Sequence, residues 1–357
     1  MSKRLGVVFP GYGEQFIGMG KDLYDEFRIV QEFFEQAAGA TDKNFVKLSF
    51  ASSDEEISST RYAYLAIYLF ECSLYELLYQ KGLRPDFIAG YGIGEYTACF
   101  AARSLSFIDG LYFLNKYSQF YHDFLQHHKD YTVLKITRDF TTEKLQEIID
   151  ASVTKTLPAY IAAQNTQNGF FVAGAKRAIA KIEKFCKENV IRKVKEVGPQ
   201  YGLHSELMNP IVDQLKLYYH KIQFKKLQVP VITNVDGVYV TTPDSLQSAV
   251  MRRINNRINW HEVITGFEGC DVIVSVGPGK QLIEWFKEVY PDKEYHIVSS
   301  MKDIDAISDL FEEVEQAEET VKKEISEDLQ VKKKEKDLLD ADLVNERPSD
   351  YDDDNDK

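Results

Sequence analysis

The chain of 357 residues has few cysteines and no arrangement of them that would bind a metal. The four cysteines, Cys72, Cys99, Cys186 and Cys270, stand far apart and show no metal-ligand spacing. Each lies in an apolar context, which is typical of a small buried hydrophobic residue. We therefore expect no metal and no cofactor.

Long apolar runs are also missing, since no stretch approaches the roughly 20 apolar residues that span a bilayer. The first four residues lead directly into a predicted strand, Leu5–Phe9, and leave no room for the apolar core of a signal peptide. These two absences predict a cytoplasmic protein without a membrane partner.

Phosphate-binding and nucleic-acid-binding signatures are absent as well. The sequence contains no Walker loop, and its glycine-rich segments lack the G-x-G-x-x-G pattern with an acidic residue at the right distance, so nucleotide binding is disfavoured. It has no basic stripe and a formal charge of −13, which disfavours nucleic acid as a partner.

Most of the negative charge belongs to the C-terminal segment, residues 312–357. This tail carries 18 acidic and 8 basic residues, and hence −10 of the formal charge. It has few aromatic residues, and sparse apolar residues cannot offset the entropy of ordering, so we expect a disordered or partly helical extension. It would serve either to contact a basic partner or only to increase solubility.

The rest of the chain is typical of a globular α/β protein, with 44% hydrophobic and 13% aromatic residues overall. Strand patterns alternate with helical patterns and indicate a parallel sheet covered by helices. The strands are predicted at Leu5–Phe9, Phe87–Ala89, Val229–Thr233 and Val272–Val276, and the clearest helices at Ala63–Lys81 and Phe107–Leu125.

A second, smaller unit is predicted between these elements, over residues 129–198. Its pattern is strand, helix, strand, strand, helix, strand, at Tyr131–Thr137, Thr142–Ala151, Ala159–Gln164, Phe170–Gly174, Arg177–Asn189 and Val190–Val197. The large domain would then consist of residues 1–128 and 199–311, with a ligand cleft between the two domains.

One segment of the sequence indicates the class of reaction. Residues 86–106, DFIAGYGIGEYTACFAARSLS, are predicted to form a buried strand, a glycine-rich turn and a helix. An α/β acyl-transfer enzyme places its serine in such a G-x-S-x-G turn, but the central residue here is Gly92. Glycine adopts the φ > 0 of this turn freely, whereas other residues adopt it at a cost of about 1–3 kcal/mol. Cys99 lies about two helical turns further on, too far to replace the nucleophile.

The chain resembles the malonyl-CoA:acyl carrier protein transacylase family, which begins F-P-G-Q-G-S-Q…G-M-G and carries G-H-S-L-G-E at this turn. Six blocks match in family order and cover roughly residues 5 to 310. They are Phe9 to Gln15 with Gly18-Met19-Gly20; Gly90 to Glu95; Tyr201 to Met208; Val229 to Val231 with Asn234 and Gly237; Trp260; and Val276 to Lys280. The resemblance implies a parallel-sheet α/β-hydrolase-like large domain with a small ferredoxin-like α+β insert domain.

The resemblance also assigns site residues. The family's general base corresponds to His204, its nucleophilic serine to Gly92 and the histidine before that serine to Tyr91. Tyr117 occupies the position of an arginine that pairs with the free carboxylate of the malonyl group, a geometry that tyrosine cannot copy. Lys116 is adjacent but would point elsewhere on a helix.

Two further family positions are altered. Tyr12 occupies the position of the family's glutamine that helps to form the oxyanion hole. Part of such a hole consists of backbone N–H groups, here in the region of Tyr12 and Ile93, so the hole can survive this change. A glutamine-proline pair is replaced by Arg61-Tyr62, and Arg61 would either anchor an anion in the pocket or lie in solvent. Tyr12, Tyr91 and Tyr117 would either fill a disused cleft or provide hydroxyls for another ligand.

Two functions from different classes fit these residues. The first is a non-catalytic family member that binds an acyl carrier protein, an acyl-CoA or a partner enzyme. The second is an active acyltransferase or thioester hydrolase of fatty acid or polyketide synthesis that uses His204 with water, or His204 as the nucleophile. The loss of the arginine at Tyr117 would then imply an acyl chain without malonate's carboxylate.

Overall fold

The computed structural model describes residues 3–137, 141–189, 193–197 and 203–311. The acidic tail, the first three residues of the predicted strand Val190–Val197, and Tyr201 with Gly202 lie outside these ranges. The strands are β1 (Leu5–Phe9), β2 (Phe87–Gly90), β3 (Tyr131–Thr137), β4 (Ala159–Thr166), β5 (Gly169–Ala175), β6 (Val194–Glu196), β7 (Val231–Ile232), β8 (Tyr239–Val240), β9 (Ile258–Asn259), β10 (Val272–Val276) and β11 (Glu294–Val298).

Fourteen α-helices connect these strands in the described part of the chain. They are α1 (Lys21–Glu26), α2 (Arg28–Thr41), α3 (Phe45–Phe50), α4 (Asp54–Ser58), α5 (Ala63–Gln80), α6 (Gly94–Ala101), α7 (Phe107–His127), α8 (Thr142–Asp150), α9 (Lys176–Glu188), α10 (Asn209–Tyr219), α11 (Pro243–Arg252), α12 (Trp260–Thr265), α13 (Gln281–Val289) and α14 (Met301–Asp305). None of these helices is long and apolar enough to cross a membrane.

The larger sheet has six strands in the order β11-β10-β1-β2-β7-β8, and every neighbouring pair is parallel except β7 with β8. Strands β1 and β10 are buried along their whole length, as expected for a parallel sheet covered on both faces. Helix α5 buries residues all around its axis and packs against α2, α6 and α7. It is therefore a central helix of the core rather than a surface helix.

The smaller sheet has the order β6-β3-β5-β4-β9. Its first four strands are antiparallel and, with α8 and α9, follow the β-α-β-β-α-β chain order of a ferredoxin-like unit. Strand β9 joins β4 in parallel from a distant part of the sequence, through Ala163 with Ile258 and Gln164 with Asn259. This pairing connects the insert to the segment that follows α11.

The predicted fold class is confirmed: the protein has a hydrolase-like parallel sheet with a small ferredoxin-like insert. Strands β1, β3 and β10 have the predicted bounds, and α5 and α7 differ from prediction by one and two residues. Strand β7 is shorter than the predicted Val229–Thr233. Pro230 cannot donate to a ladder, and the N–H of Thr233 already donates to Val238 in a turn.

Candidate acyl-binding site

The turn between β2 and α6 has the backbone of a nucleophile elbow. Gly92 adopts φ 57°, in the left-handed region. A Cβ added at Gly94 would lie 2.2 Å from the carbonyl oxygen of Pro10, so the strand and helix ends approach too closely for any side chain. At Gly92 an added Cβ would meet no heavy atom within 4 Å, so the space for a side chain is present.

Asn234, which follows β7, fixes this elbow from the neighbouring strand. Its Oδ1 accepts from the Gly92 N–H at 2.9 Å, and its Nδ2 donates to the Gly90 carbonyl at 2.6 Å. The Asn234 N–H in turn donates to Oε1 of Glu95 at 2.8 Å. Both Asn234 and Glu95 are fully buried, so the elbow is held by hydrogen bonds inside the core.

His204 lines the same cleft, and only one of its ring nitrogens has a hydrogen-bond partner among the described residues. Its Nδ1 is 2.9 Å from the backbone oxygen of Arg253, which can only accept, so Nδ1 carries the proton and Nε2 carries the lone pair. The residue has φ 59°, a conformation that costs a residue with a Cβ some strain. Burial, with the nearby Arg253 cation, lowers the pKa of His204 to about 3, so the ring is neutral at physiological pH.

Arg253 is a fully buried cation at this cleft. Its Nε lies 3.0 Å from Oε2 of Glu95, and its guanidinium stands over the Tyr96 ring at 5.1 Å from the ring centroid. The ion contact is not aligned as a hydrogen bond, and Nη2 has no hydrogen-bond partner among the described residues. Burial raises the pKa of the Glu95 carboxyl, and Arg253 opposes that effect.

The cleft encloses about 280 Å³ between the two sheets' domains. The insert contributes Val133, Ala162 and Phe171, and the large domain contributes the elbow, His204 and Trp285. Within the described part of the chain, no serine, threonine or cysteine lines the cleft. Its only hydroxyl groups there belong to tyrosines.

Backbone N–H groups suited to an oxyanion are present at the predicted positions. Tyr12 and Ile93 both line the cleft. No acceptor in the described ranges takes a hydrogen bond from the N–H of either residue. Free backbone N–H groups are the kind of donor from which an oxyanion hole is formed.

The three predicted tyrosines all reach the cleft, each in a different packing environment. The Tyr91 ring packs between Trp260 and Trp285, and its hydroxyl donates to Oδ1 of Asn165 in the insert at 2.9 Å. Tyr117 is fully buried, and burial raises its pKa to about 12.

The hydroxyl of Tyr12 binds a residue outside the cleft lining. It donates to the Ser58 carbonyl at 3.0 Å, while the Tyr12 ring packs edge-on against Tyr64. The hydroxyls of Tyr12 and Tyr91 are therefore both bonded within the protein, to Ser58 and Asn165.

Arg61 does not line the cleft, which corrects its prediction as a pocket residue. Its side chain is exposed on the segment before α5, and its backbone N–H contacts the Ser59 hydroxyl. Because α5 begins only at Ala63, this segment lies on the surface rather than beneath the cleft. Lys116 also points away, with Nζ over the Tyr218 ring, as its helix position predicts.

Three cleft residues were not predicted from the sequence: Arg253, Tyr64 and Trp285. A signal for Arg253 was present, because Leu246, Ala249 and Val250 form the buried stripe of α11 and Arg253 continues it at the i+7 position. An arginine on the buried stripe of an amphipathic helix is rare and marks a site or a buried ion pair.

Gly92, His204, Tyr12 and Ile93 thus line one cleft, where the resemblance places the family's site residues. The chain belongs to the acyl transferase domain family, whose model matches residues 7–325. The resemblance to malonyl-CoA:acyl carrier protein transacylases is confirmed by its relatives. The transacylase of Bacillus subtilis strain 168 is 28% identical over 320 residues, covering 89% of this chain and 100% of the relative. That of Escherichia coli K12 is 27% identical over 292 residues, covering 79% and 91%.

Solved structures show the same fold. The transacylase of Xanthomonas oryzae superposes with a TM-score of 0.81 at 22% identity, covering 88% of this chain and all of that one. A malonyl-transacylase solved in complex with its type II polyketide synthase acyl carrier protein has a TM-score of 0.78 at 22% identity, covering 84% and 97%.

Proposed function

We propose that this chain binds acyl thioesters, carried by coenzyme A or by an acyl carrier protein, without transferring the acyl group through a serine. One observation carries the proposal: the elbow is fully built, yet the residue at its apex is Gly92 and the described cleft lining has no serine, threonine or cysteine. Nucleophilic catalysis needs an activated hydroxyl or thiol within reach of its base.

Neither Cys99 nor the tyrosines of the described cleft supply an activated thiol or hydroxyl in its place. Cys99 is fully buried away from the cleft lining, and burial raises the pKa of its thiol well above the usual range. Burial likewise raises the pKa of Tyr91 and Tyr117, so their hydroxyls remain protonated at physiological pH.

Several features support retained binding. The cleft is largely apolar, it has room for an acyl chain, and the N–H groups of Tyr12 and Ile93 are free to bind a thioester oxygen. The relatives are named as enzymes acting on malonyl-CoA and acyl carrier protein. A structural neighbour was solved with its acyl carrier protein bound. An acyl carrier protein is therefore the partner we propose for this chain, in fatty acid or polyketide synthesis.

A second function has one observation in its favour. His204 lines the cleft and carries its lone pair on Nε2, so His204 could position a water for thioester hydrolysis or attack the thioester itself. The low pKa of His204 opposes this function, because a general base works best with a pKa near the operating pH. Binding without turnover is therefore the function that we favour.

The test is calorimetric titration with malonyl-CoA, acetyl-CoA and an acyl carrier protein in its holo and malonyl forms. Thiol release is followed in the same mixtures. We expect binding of at least the thioesters and no thiol release above the His204→Ala background. Ala162→Leu, which narrows the cleft, should weaken binding at least tenfold, while Ala151→Leu on the exposed surface should not. Absence of binding to every ligand would contradict the proposal, and thiol release that His204→Ala abolishes would establish the second function.

A further inference from the structure

Arg253 is the one cleft-lining cation in the described part of the chain. Its side chain is 1% exposed, so water does not satisfy its donors. A guanidinium has five N–H donors, and the neighbouring carboxylate of Glu95 faces only its Nε edge. Nη2 is buried and has no described partner. A buried donor without a partner lowers stability by about 1–3 kcal/mol, and by more when it is charged. Nη2 is therefore a donor that an anionic ligand could satisfy.

The surroundings of Arg253 indicate which anion would fit. Tyr64 and Tyr117 line the same cleft, are almost fully buried, and pack ring against ring with their centroids 5.4 Å apart. The remaining lining is mostly apolar, with Ala163, Phe171 and Leu282 among its members, and it includes one carboxyl group, that of Glu14, whose pKa is raised by burial. A ligand with a short apolar stem and one terminal negative charge matches a largely apolar cleft with a buried cation in its wall.

A chain of contacts connects Arg253 to the elbow. Arg253 contacts Glu95, Glu95 accepts from Asn234, and Asn234 accepts from the Gly92 N–H. The Arg253 carbonyl also accepts from His204. Arg253 is thus coupled both to the elbow, where a thioester would lie, and to the histidine beside it.

We propose that Arg253 binds the terminal carboxylate of a dicarboxylic acyl thioester in the cleft. This inference rests on the proposed acyl-thioester binding and gives it a substrate class. The presence of Tyr117 in place of an arginine led us to expect an acyl chain without a carboxylate. The proposal reverses that expectation, because the cation for the carboxylate comes from the end of α11 rather than from α7. Arg253 is a specificity residue in this account, since it discriminates between acyl groups with and without a negative charge.

The test compares the affinities of malonyl-CoA and acetyl-CoA by calorimetry, since these two ligands differ only in the carboxylate. A charge-assisted hydrogen bond to a buried arginine corresponds to a preference of about tenfold to a hundredfold for malonyl-CoA. Replacing Arg253 alone would leave Glu95 as an unpaired buried charge. The informative variant is therefore Arg253→Met with Glu95→Gln, which removes both charges together.

We expect this double variant to lose the preference, so that malonyl-CoA and acetyl-CoA bind with equal affinity. The preceding residue provides a matched control: Arg252 pairs with Asp236 on the surface, with Nη1 3.1 Å from Oδ1. Arg252→Met with Asp236→Asn should keep the full preference for malonyl-CoA. Circular dichroism and thermal unfolding of both variants check that they fold.

Each outcome separates the two proposals. Equal affinity of the wild type for both ligands, or a preference that survives in the Arg253 double variant, would overturn the role of Arg253 and leave thioester binding intact. Failure of the wild type to bind either ligand would overturn both proposals. A double variant that is less stable but keeps the preference would show that Arg253 is only structural.

Discussion

His204 and Arg253 are joined by a hydrogen bond of 2.9 Å from the imidazole Nδ1 to the backbone oxygen. The same arginine carries the buried guanidinium that faces the cleft and contacts Glu95. One residue therefore fixes the tautomer of the histidine with its backbone and presents a cation with its side chain. The site keeps these two elements in place around an elbow whose apex, Gly92, has no side chain.

Restoring a hydroxyl at the elbow should restore covalent chemistry. Gly92→Ser adds a side chain where a Cβ meets no heavy atom within 4 Å, close to the Ile93 and Tyr12 N–H groups. We expect the variant to gain the mass of one acyl group after incubation with malonyl-CoA, as measured by intact-protein mass spectrometry. Both Gly92→Ser and its control Gly92→Ala should lose about 1–3 kcal/mol of stability because φ is positive. Acylation of the alanine variant, or none of a folded serine variant, would contradict this reading of the elbow.

The elbow should depend on Asn234 for its stability. Asn234→Ala leaves the Gly92 N–H and the Gly90 carbonyl without their partner inside the core. We expect the free energy of unfolding to fall by about 2–4 kcal/mol in urea titration. Asn256→Ala, on the exposed surface, should change it by less than about 0.5 kcal/mol. Equal effects of the two substitutions would mean that the network does not hold the turn.

The stability of the protein should depend on pH through His204. Burial lowers its pKa from 6.5 to about 3, so between these values the unfolded chain binds more protons than the folded one. Stability therefore rises with pH in this window, by at most about 1.4 kcal/mol per pH unit, and is lost as pH falls from 6.5 toward 3. His204→Asn, which tolerates the positive φ and keeps a donor for Arg253, should flatten the dependence.

The measurement for that prediction is urea unfolding of wild type and His204→Asn at pH values from 4 to 7, about one unit apart. His220→Asn is the matched control, because His220 is exposed. A slope that is the same in wild type and His204→Asn would show that His204 does not titrate as its burial implies.

Tyr91 should couple the two domains energetically. Its hydroxyl donates to Oδ1 of Asn165, a buried residue of the insert, at 2.9 Å. In a double-mutant cycle of Tyr91→Phe and Asn165→Ala, we expect a coupling energy of about 0.5–1.5 kcal/mol in the free energy of unfolding. Tyr91→Phe combined with Asn256→Ala should be additive. Additivity in the Tyr91–Asn165 cycle would mean that this contact does not help to dock the insert.

The sequence predicted the fold well where periodicity is strong and local. Strand Tyr131–Thr137 has its predicted bounds, and the helix predicted over Ala63–Lys81 ends one residue earlier. The two-residue strand β9 was missed, because it exists only through its pairing with β4 and has no pattern of its own.

The site was predicted less completely than the fold. The turn, Gly92 and His204 follow from spacing within short segments, but the sequence left open whether Arg61 enters the pocket or lies in solvent, because that depends on where α5 begins. Arg253 was missed for the opposite reason. Arginine is usually exposed, so its position on the buried stripe of α11 is meaningful only once the helix is seen to face the elbow.

The most direct test of the central claim is intact-protein mass spectrometry of the wild type after incubation with malonyl-CoA and acetyl-CoA, read beside free thiol release. The account predicts an unchanged protein mass and thiol release no higher than in His204→Ala, in samples whose ligand binding is confirmed by calorimetry. A wild-type acyl adduct, or thiol release that His204→Ala abolishes, would show that the chain is an active enzyme and contradict the account.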